Sequence, residues 1–397
     1  MTQRFLALST VAVVLMALSA CRGPEGPQGP SGESTVVNLE GFAPGINCGN
    51  CHNPDIDTTY YVWAVKYQWA QAGHVTGGTF DDRNTAPCSG CHTSEGFVQR
   101  AKAGFPPQSL PAVWSVVTNQ YRPSPVGCFA CHSPHSKGDF SRRTEASVVL
   151  WSPMEGISDQ TINLGKGNIC LNCHQPRSSG FTPKMKTTAG ATDTLKITTN
   201  RWYPHYGVQG LMFLGAGKGG GFEFPGKAYV NSPHSTQSGI TQSGCPTCHM
   251  AQPVSGGNGG HTNVIGYPSG TTTAYNTNGC RQSGCHATMN VDTYVGTSGT
   301  LTGGMGAHKY VHEYLDTLAT LLQAKGILSS SGLVQANNGT SSASSSSPRT
   351  FVGPAGLRKA GALYNYFFIE HDKSGGIHNP QYAIQLLNDS IEEMRKP

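Results

Sequence analysis

The sequence predicts a mainly α-helical, loop-rich fold with few strands and a helical hairpin near its C-terminal end. Three observations carry this. Gly and Pro, 51 and 25 of 397 residues, demand much irregular chain. Apolar residues at helical spacing are concentrated late, over 310–328, 354–370 and 380–395. Twelve of the 13 cysteines fall into six close pairs, each followed at once by His. Such a pattern organises a chain around bound groups rather than around sheets.

Composition narrows the classes further. Hydrophobic residues are 37% of the chain, enough for a folded protein, and only 12% are charged, which excludes a charged disordered tail and a coiled coil. A net charge of +5 without a dense Lys/Arg stripe argues against nucleic-acid binding. The length allows two or three domains.

Residues 1–20 read as a secretory signal peptide: Arg4, then an apolar run from Phe5 to Ala20 that is short for a membrane span. The run ends Leu18-Ser19-Ala20-Cys21, which resembles a bacterial lipobox, so Cys21 is expected to be the lipid anchor. Arg22, rather than Asp, directs the expectation to the outer membrane of a Gram-negative bacterium, on its periplasmic or extracellular face. Residues 21–40, with three Gly-Pro-x triplets, read as a stiff extended tether.

The pairs are Cys48-Gly-Asn-Cys51-His52, Cys88-Ser-Gly-Cys91-His92, Cys128-Phe-Ala-Cys131-His132, Cys170-Leu-Asn-Cys173-His174, Cys245-Pro-Thr-Cys248-His249 and Cys280-Arg-Gln-Ser-Gly-Cys285-His286. C-x-x-C-H is the attachment motif of c-type haem: two thiols add to the vinyl groups, and the following imidazole binds the iron from below. Zinc sites also use C-x-x-C, but do not require His after each pair. Thioredoxin-like sites need one motif in a βαβ frame. Exported cysteines can also form disulfides. His is only 15 of 397 residues, so its presence after all six pairs is not chance. The sixth motif has four residues between its cysteines, yet the count supports it: one anchor plus twelve thioethers leaves no cysteine over. Six covalently bound haem c groups are therefore expected. Their propionates, roughly twelve negative charges, turn a basic sequence into an acidic holoprotein.

Six hexacoordinate irons need six distal ligands. Here the chain resembles multihaem cytochromes related to pentahaem nitrite reductase, hydroxylamine oxidoreductase and octahaem tetrathionate reductase, over roughly 45–290 and 354–390. The resemblance of YQWAQAGH nominates His74, CHSPH His135, YPHYGVQGLMFLG His205, NSPHS His234, GGHTNVIG His261 and SGGIHNPQYAIQLL His378. Met250 and Met289 follow motifs closely and are alternative axial donors. His308 and His312 share one helix face, either as a metal site, as a ligand assigned elsewhere, or as a half-exposed helix surface. His371 is expected at a helix end, where the dipole favours a cation.

The core is expected over 41–300, with haem faces replacing much of the side-chain interior, so that the fold collapses without haem. Residues 301–397 follow as a C-terminal helical region containing a Ser-rich linker at 329–350. Pro354 and Pro380 suit first helical turns, Asn379 a cap, and His378 the hairpin turn.

These features predict an electron carrier. Histidine on both axial sides keeps an iron coordinatively full, which suits electron transfer and denies substrates a site. The family's C-x-x-C-K motif for a catalytic haem does not occur in the sequence. The leading expectation is a lipid-anchored relay in anaerobic respiration or extracellular electron transfer. Its partners would be other cytochromes, outer-membrane conduit proteins or metal oxides, with no nucleic acid. A reductase of nitrogen or sulfur oxyanions with one open haem, and a scaffold or haem sensor, are the competing classes.

Overall fold

The computed structural model describes residues 52–83, 88–104, 123–132, 140–176, 184–254, 258–282, 285–294, 305–337 and 347–397. All of these fall in one compact unit. The signal segment 1–20, Cys21, the tether 21–40, Cys48, Cys51 and His135 lie outside the described residues.

Helices dominate, and strands are short. The longer early helices are α1 (Val62–Trp69), α2 (Ser94–Lys102) and α3 (Gln209–Leu214). Between them the chain makes single-turn helices joined by loops, as the Gly and Pro content requires. Three antiparallel ribbons are present: β1 (Val148–Leu150) with β2 (Gln160–Ile162), β3 (Thr194–Ile197) with β6 (Arg349–Val352), and β4 (Gly266–Ser269) with β5 (Thr272–Tyr275). The β3–β6 ribbon, in register Thr194↔Val352, ties the middle of the chain to its last hundred residues.

The late helices are α4 (Ala307–Ala324), α5 (Gly353–Asp372) and α6 (Pro380–Arg395). Their apolar spacing dictates the packing. Val311, Leu315, Leu318 and Leu322 form one stripe of α4, and Tyr382, Ala383, Leu386, Leu387, Ile391 and Met394 one face of α6. Helix α6 packs against both α4 and α5, so the expected two-helix hairpin is one side of a three-helix unit. Helix α5 is buried almost all round. Its Gly361 is required by close approach: a Cβ there would lie 2.2 Å from the Phe222 ring. Its buried Asn365 does the work of a neighbouring strand, accepting from the Phe222 amide at 2.7 Å and donating to the Phe222 carbonyl at 2.8 Å. Both partners are satisfied, so the polar side chain costs little in the core.

One large hydrophobic core joins residues 148–224 to 311–394. Each fully buried Leu or Phe there contributes on the order of 2 kcal/mol. This is an ordinary side-chain core, more extensive than the sequence led us to expect. Around the second to fourth cysteine motifs the picture reverses. There the described apolar cluster is only Phe97, Ala130 and Ile169, with Val126, Cys131, Cys170 and Cys173 against it.

Two local expectations are corrected. Asn379 occupies the cap position of α6 but makes no cap hydrogen bond. Its side chain accepts instead from the Ser232 amide at 2.9 Å and donates to Asn231 Oδ1 at 2.9 Å, bracing the segment before α6. His371 does sit at the end of α5, but burial pushes its pKa down and favours the neutral ring, so dipole attraction to a cation does not decide its state. Within 329–350, the stretches flanking 338–346 are packed: Leu328 bridges Val334, Asn337 bridges Pro348, and Val334 and Ala336 are fully buried.

Candidate haem-binding sites

Each described motif closes a tight turn that brings its histidine back over its first cysteine. The amide of His92 donates to the Cys88 carbonyl, and those of His132, His174 and His249 donate to Cys128, Cys170 and Cys245, at 2.9–3.2 Å. The sixth motif has two extra residues, yet His286 N still donates to the Cys280 carbonyl at 2.9 Å. The return of the histidine to the first cysteine is thus kept in the longer motif. Among the described residues, Cys88, Cys91, Cys128, Cys131, Cys170, Cys173, Cys245, Cys248, Cys280 and Cys285 are not joined in disulfides. Burial pushes the Cys131 thiol up to about 11 and Cys248 up to about 12.

The motif histidines do not stand alone. His174 faces His74 with ring centroids 6.1 Å apart, His92 faces His205 at 6.3 Å, and His132 faces His261 at 6.3 Å. His286 faces His234 at 6.0 Å, and His249 faces His378 at 6.1 Å. An imidazole nitrogen binds a metal at about 2.0 Å and lies about 1.1 Å from its own ring centre, so two imidazoles trans across one ion have centroids roughly 6.3 Å apart. The spacing of all five pairs therefore fits a bis-histidine iron. Five of the six nominated distal residues, His74, His205, His234, His261 and His378, lie in these pairs, one per motif, and neither Met250 nor Met289 is part of any. For the first motif, the His52 carbonyl accepts from Trp63 Nε1 at 3.1 Å; its cysteines and His135 fall outside the described residues.

Outer hydrogen bonds orient the rings. Where one ring nitrogen is occupied as a donor, the other keeps its lone pair for a metal. His132 Nδ1 donates to the Phe140 carbonyl at 2.5 Å, His234 Nδ1 to the Ile377 carbonyl at 2.6 Å, and His249 Nδ1 to the Asn263 carbonyl at 3.2 Å. His174 Nδ1 donates to Gln209 Oε1 at 3.3 Å, and His92 Nδ1 lies 3.4 Å from Thr79 Oγ1. His378 is different: its Nδ1 meets the carboxylate of Asp372 at 2.7 Å, and the Asp372 side chain is completely buried. Burial disfavours charge on His378, but Asp372 outweighs it and raises its pKa. The other rings go the opposite way. Burial, reinforced by the facing imidazole, drives His74 down to about 4 and lowers His234 and His261. Burial likewise lowers His174, His249 and His286. Neutral imidazole is the metal-binding form.

The motifs also touch one another in a definite order. The side chains of Cys91 and Cys173 adjoin, joining the second motif to the fourth. Arg100 reinforces that contact, with Nη1 3.6 Å from Cys91 Sγ and bonded to the Asn172 carbonyl. The Phe97–Ala130–Ile169 cluster packs the third motif on the fourth through Cys131, Cys170 and Cys173. Cys170 and Cys245 join the fourth to the fifth, and Cys245 Sγ also lies 3.9 Å from the Gly167 carbonyl. Gln282 Nε2 donates to the Thr247 carbonyl at 3.2 Å, joining the fifth to the sixth. The fourth motif is thus the common neighbour of the second, third and fifth. Sequence steps of near 40 residues gave no sign of this, and the partners Asp372, Gln209 and Arg100 were not singled out either. Only Asp372 had a local signal, six residues before His378 in HDKSGGIH.

A set of cysteine–histidine turns, each capped by a facing histidine, is the donor set of a protein that carries several covalently attached haems. The chain is similar to the C-type polyheme cytochrome OmcB of Geobacter sulfurreducens, at 24% identity over 385 residues, covering 85% of this chain and 46% of that protein. It is also similar to the C-type polyheme cytochrome OmcC of the same organism, at 25% identity over 360 residues, covering 79% of this chain and 43% of that protein. The chain thus spans less than half the length of these relatives. Both are polyhaem c-type cytochromes, which implies covalently bound haem c. A solved structure, the outer cell wall cytochrome OcwA, aligns with a TM-score of 0.43 and 17% identity, covering 83% of this chain and 50% of that one. No family model matches the chain. Among the described residues no helix is long and apolar enough to cross a membrane.

Proposed function

We propose that this chain is a hexahaem c-type cytochrome that relays electrons, held by lipid on Cys21 at the outer membrane and serving anaerobic respiration or extracellular electron transfer. The observation that carries the reading is the set of five facing histidine pairs. Each would fill both axial positions of an iron, leaving no coordination site for a substrate. Haem c supplies one-electron redox chemistry when bound. The protein's own part is to fix the ligands, exclude exchangeable ones and set the spacing of the groups. The motif contacts support a branched order, in which the second and third sites meet the fourth, and the fourth leads through the fifth to the sixth. The first motif, with His52 as its proximal ligand, completes the count of six, and His135 stays the sixth nominated distal ligand without an assigned haem. Partners at the ends would be other cytochromes, outer-membrane conduit proteins or metal oxides.

The test is haem counting by pyridine haemochromogen together with EPR of the fully oxidised holoprotein. Six low-spin haems are expected. A high-spin signal that nitrite or hydroxylamine perturbs would show an open site and make the protein a reductase.

A further inference from the structure

His308 and His312 take no part in the five facing pairs, yet they are placed as carefully. They lie one turn apart at the start of α4, with ring centroids 4.6 Å apart and planes inclined at 68°. His308 Nδ1 is 3.1 Å from Asp292 Oδ1, so that nitrogen is occupied and Nε2 carries the free lone pair. Both rings lie against the Ser374–Gly376 turn, with their Nε2 atoms near the same point. A Cβ on Gly375 would lie 2.4 Å from His308 Cδ2, 2.8 Å from His308 Nε2 and 3.0 Å from His312 Nε2. Gly375, at φ +57°, is therefore both conformationally suited and the residue whose missing side chain keeps this spot open. The edge of Tyr275 closes one wall, its ring 5.5 Å from that of His308.

Two histidines at i and i+4 that present convergent lone pairs form a recurrent bidentate donor set on helices. A carboxylate behind one imidazole is the usual outer partner of a metal-ligating histidine. Among the described residues no third His, Cys, Asp or Glu joins them, so water would complete the coordination. His312 is exposed, which leaves room for that water. Imidazole donors suit borderline divalent ions such as nickel, copper and zinc, whereas magnesium and calcium prefer an oxygen cage.

We propose that His308 and His312 form a surface site for a divalent transition-metal ion, with Asp292 orienting His308 and Gly375 leaving the space. The site stands apart from haem ligation and does not depend on the electron-relay reading. It does sit beside the sixth motif: Asp292 follows His286 by six residues, and the Tyr294 ring packs edge-on against His286 at 4.3 Å.

Isothermal titration of the untagged holoprotein with nickel chloride tests this. One site per chain is expected, weakened at least about tenfold in His312→Asn and in His308→Gln, and by a smaller factor in Asp292→Asn. His312 is exposed, so its variant should fold, and an unchanged haem visible spectrum verifies that. Nickel binding of equal strength in His312→Asn and wild type would overturn the proposal, as would no stoichiometric binding at all. Loss of a low-spin haem signal in His312→Asn would overturn it too, by making His312 an axial ligand.

Discussion

Replacing Asp372 with Asn should raise the reduction potential of one haem and leave the others nearly unchanged. Asp372 is the carboxylate behind His378, whereas the Nδ1 partners seen for His92, His132, His174, His234 and His249 are neutral. A buried anion there stabilises the ferric state, which carries one more positive charge than the ferrous. The carboxylate oxygen is 2.7 Å from Nδ1, and the two rings of the site are 6.1 Å apart. It therefore lies roughly 7 Å from the midpoint of the rings, and at an effective dielectric of about 20 the interaction is about 2.4 kcal/mol. A one-electron couple moves about 59 mV per tenfold change in equilibrium constant, so the variant should rise by about 100 mV. The hydroxyl of Ser374 also bonds the carboxylate and spreads part of that charge, which makes this an upper figure. Asn keeps the shape and can still accept from His378, so fold and ligation should persist. Spectroelectrochemical titration of both holoproteins reads the result. If every midpoint coincides between variant and wild type while both remain low-spin, the assignment of Asp372 to an axial histidine is wrong.

Other substitutions address the pairing, the core and the titration. His261→Ala should convert only the haem on His132 to high spin, read by EPR as one new signal beside unchanged low-spin ones; a wholly low-spin spectrum would break the His132–His261 pair. Phe368 is fully buried in α5, and Phe368→Ala should cost about 3–5 kcal/mol in denaturant unfolding of the holoprotein. A loss below about 1 kcal/mol would mean that the late helices contribute little to the core. Burial depresses the pKa of His371 while the unfolded group titrates near 6.5. The unfolded chain therefore takes up a proton first as pH falls. The stability is present above that value and is lost below it. Wild type should lose more melting temperature than His371→Gln between about pH 7.5 and about pH 5; equal losses would dismiss His371 as a contributor.

Much of the site could be read from the sequence, because the chemistry of attachment is local. C-x-x-C-H encodes its own turn, and nothing distant is needed to see it. The late helices were equally legible from the stripe Val311, Leu315, Leu318, Leu322, although their ends moved: the expected 310–328 became Ala307–Ala324. What distance in sequence separates was illegible. Nothing near His74 says that it meets His174, and nothing near Cys91 says that it meets Cys173. Asn379 shows the same limit in miniature. A cap is a reasonable reading from its neighbours alone, but a better hydrogen-bond partner, the Ser232 amide, arrives from nearly 150 residues away and takes the side chain.

The five facing pairs have a consequence for assembly. Most join positions on the order of a hundred residues apart, so each ligated iron would act as a cross-link that closes a long loop. Cross-links over loops of that size constrain the unfolded chain strongly, in the manner of disulfides. These staples cannot all close in the order of synthesis. His249 is synthesised long before His378, which waits for the turn after α5. The haem proposed for the fifth motif, next to the branch point, would therefore stay half-ligated for the roughly 130 residues of chain between His249 and His378, exposed meanwhile to any competing ligand.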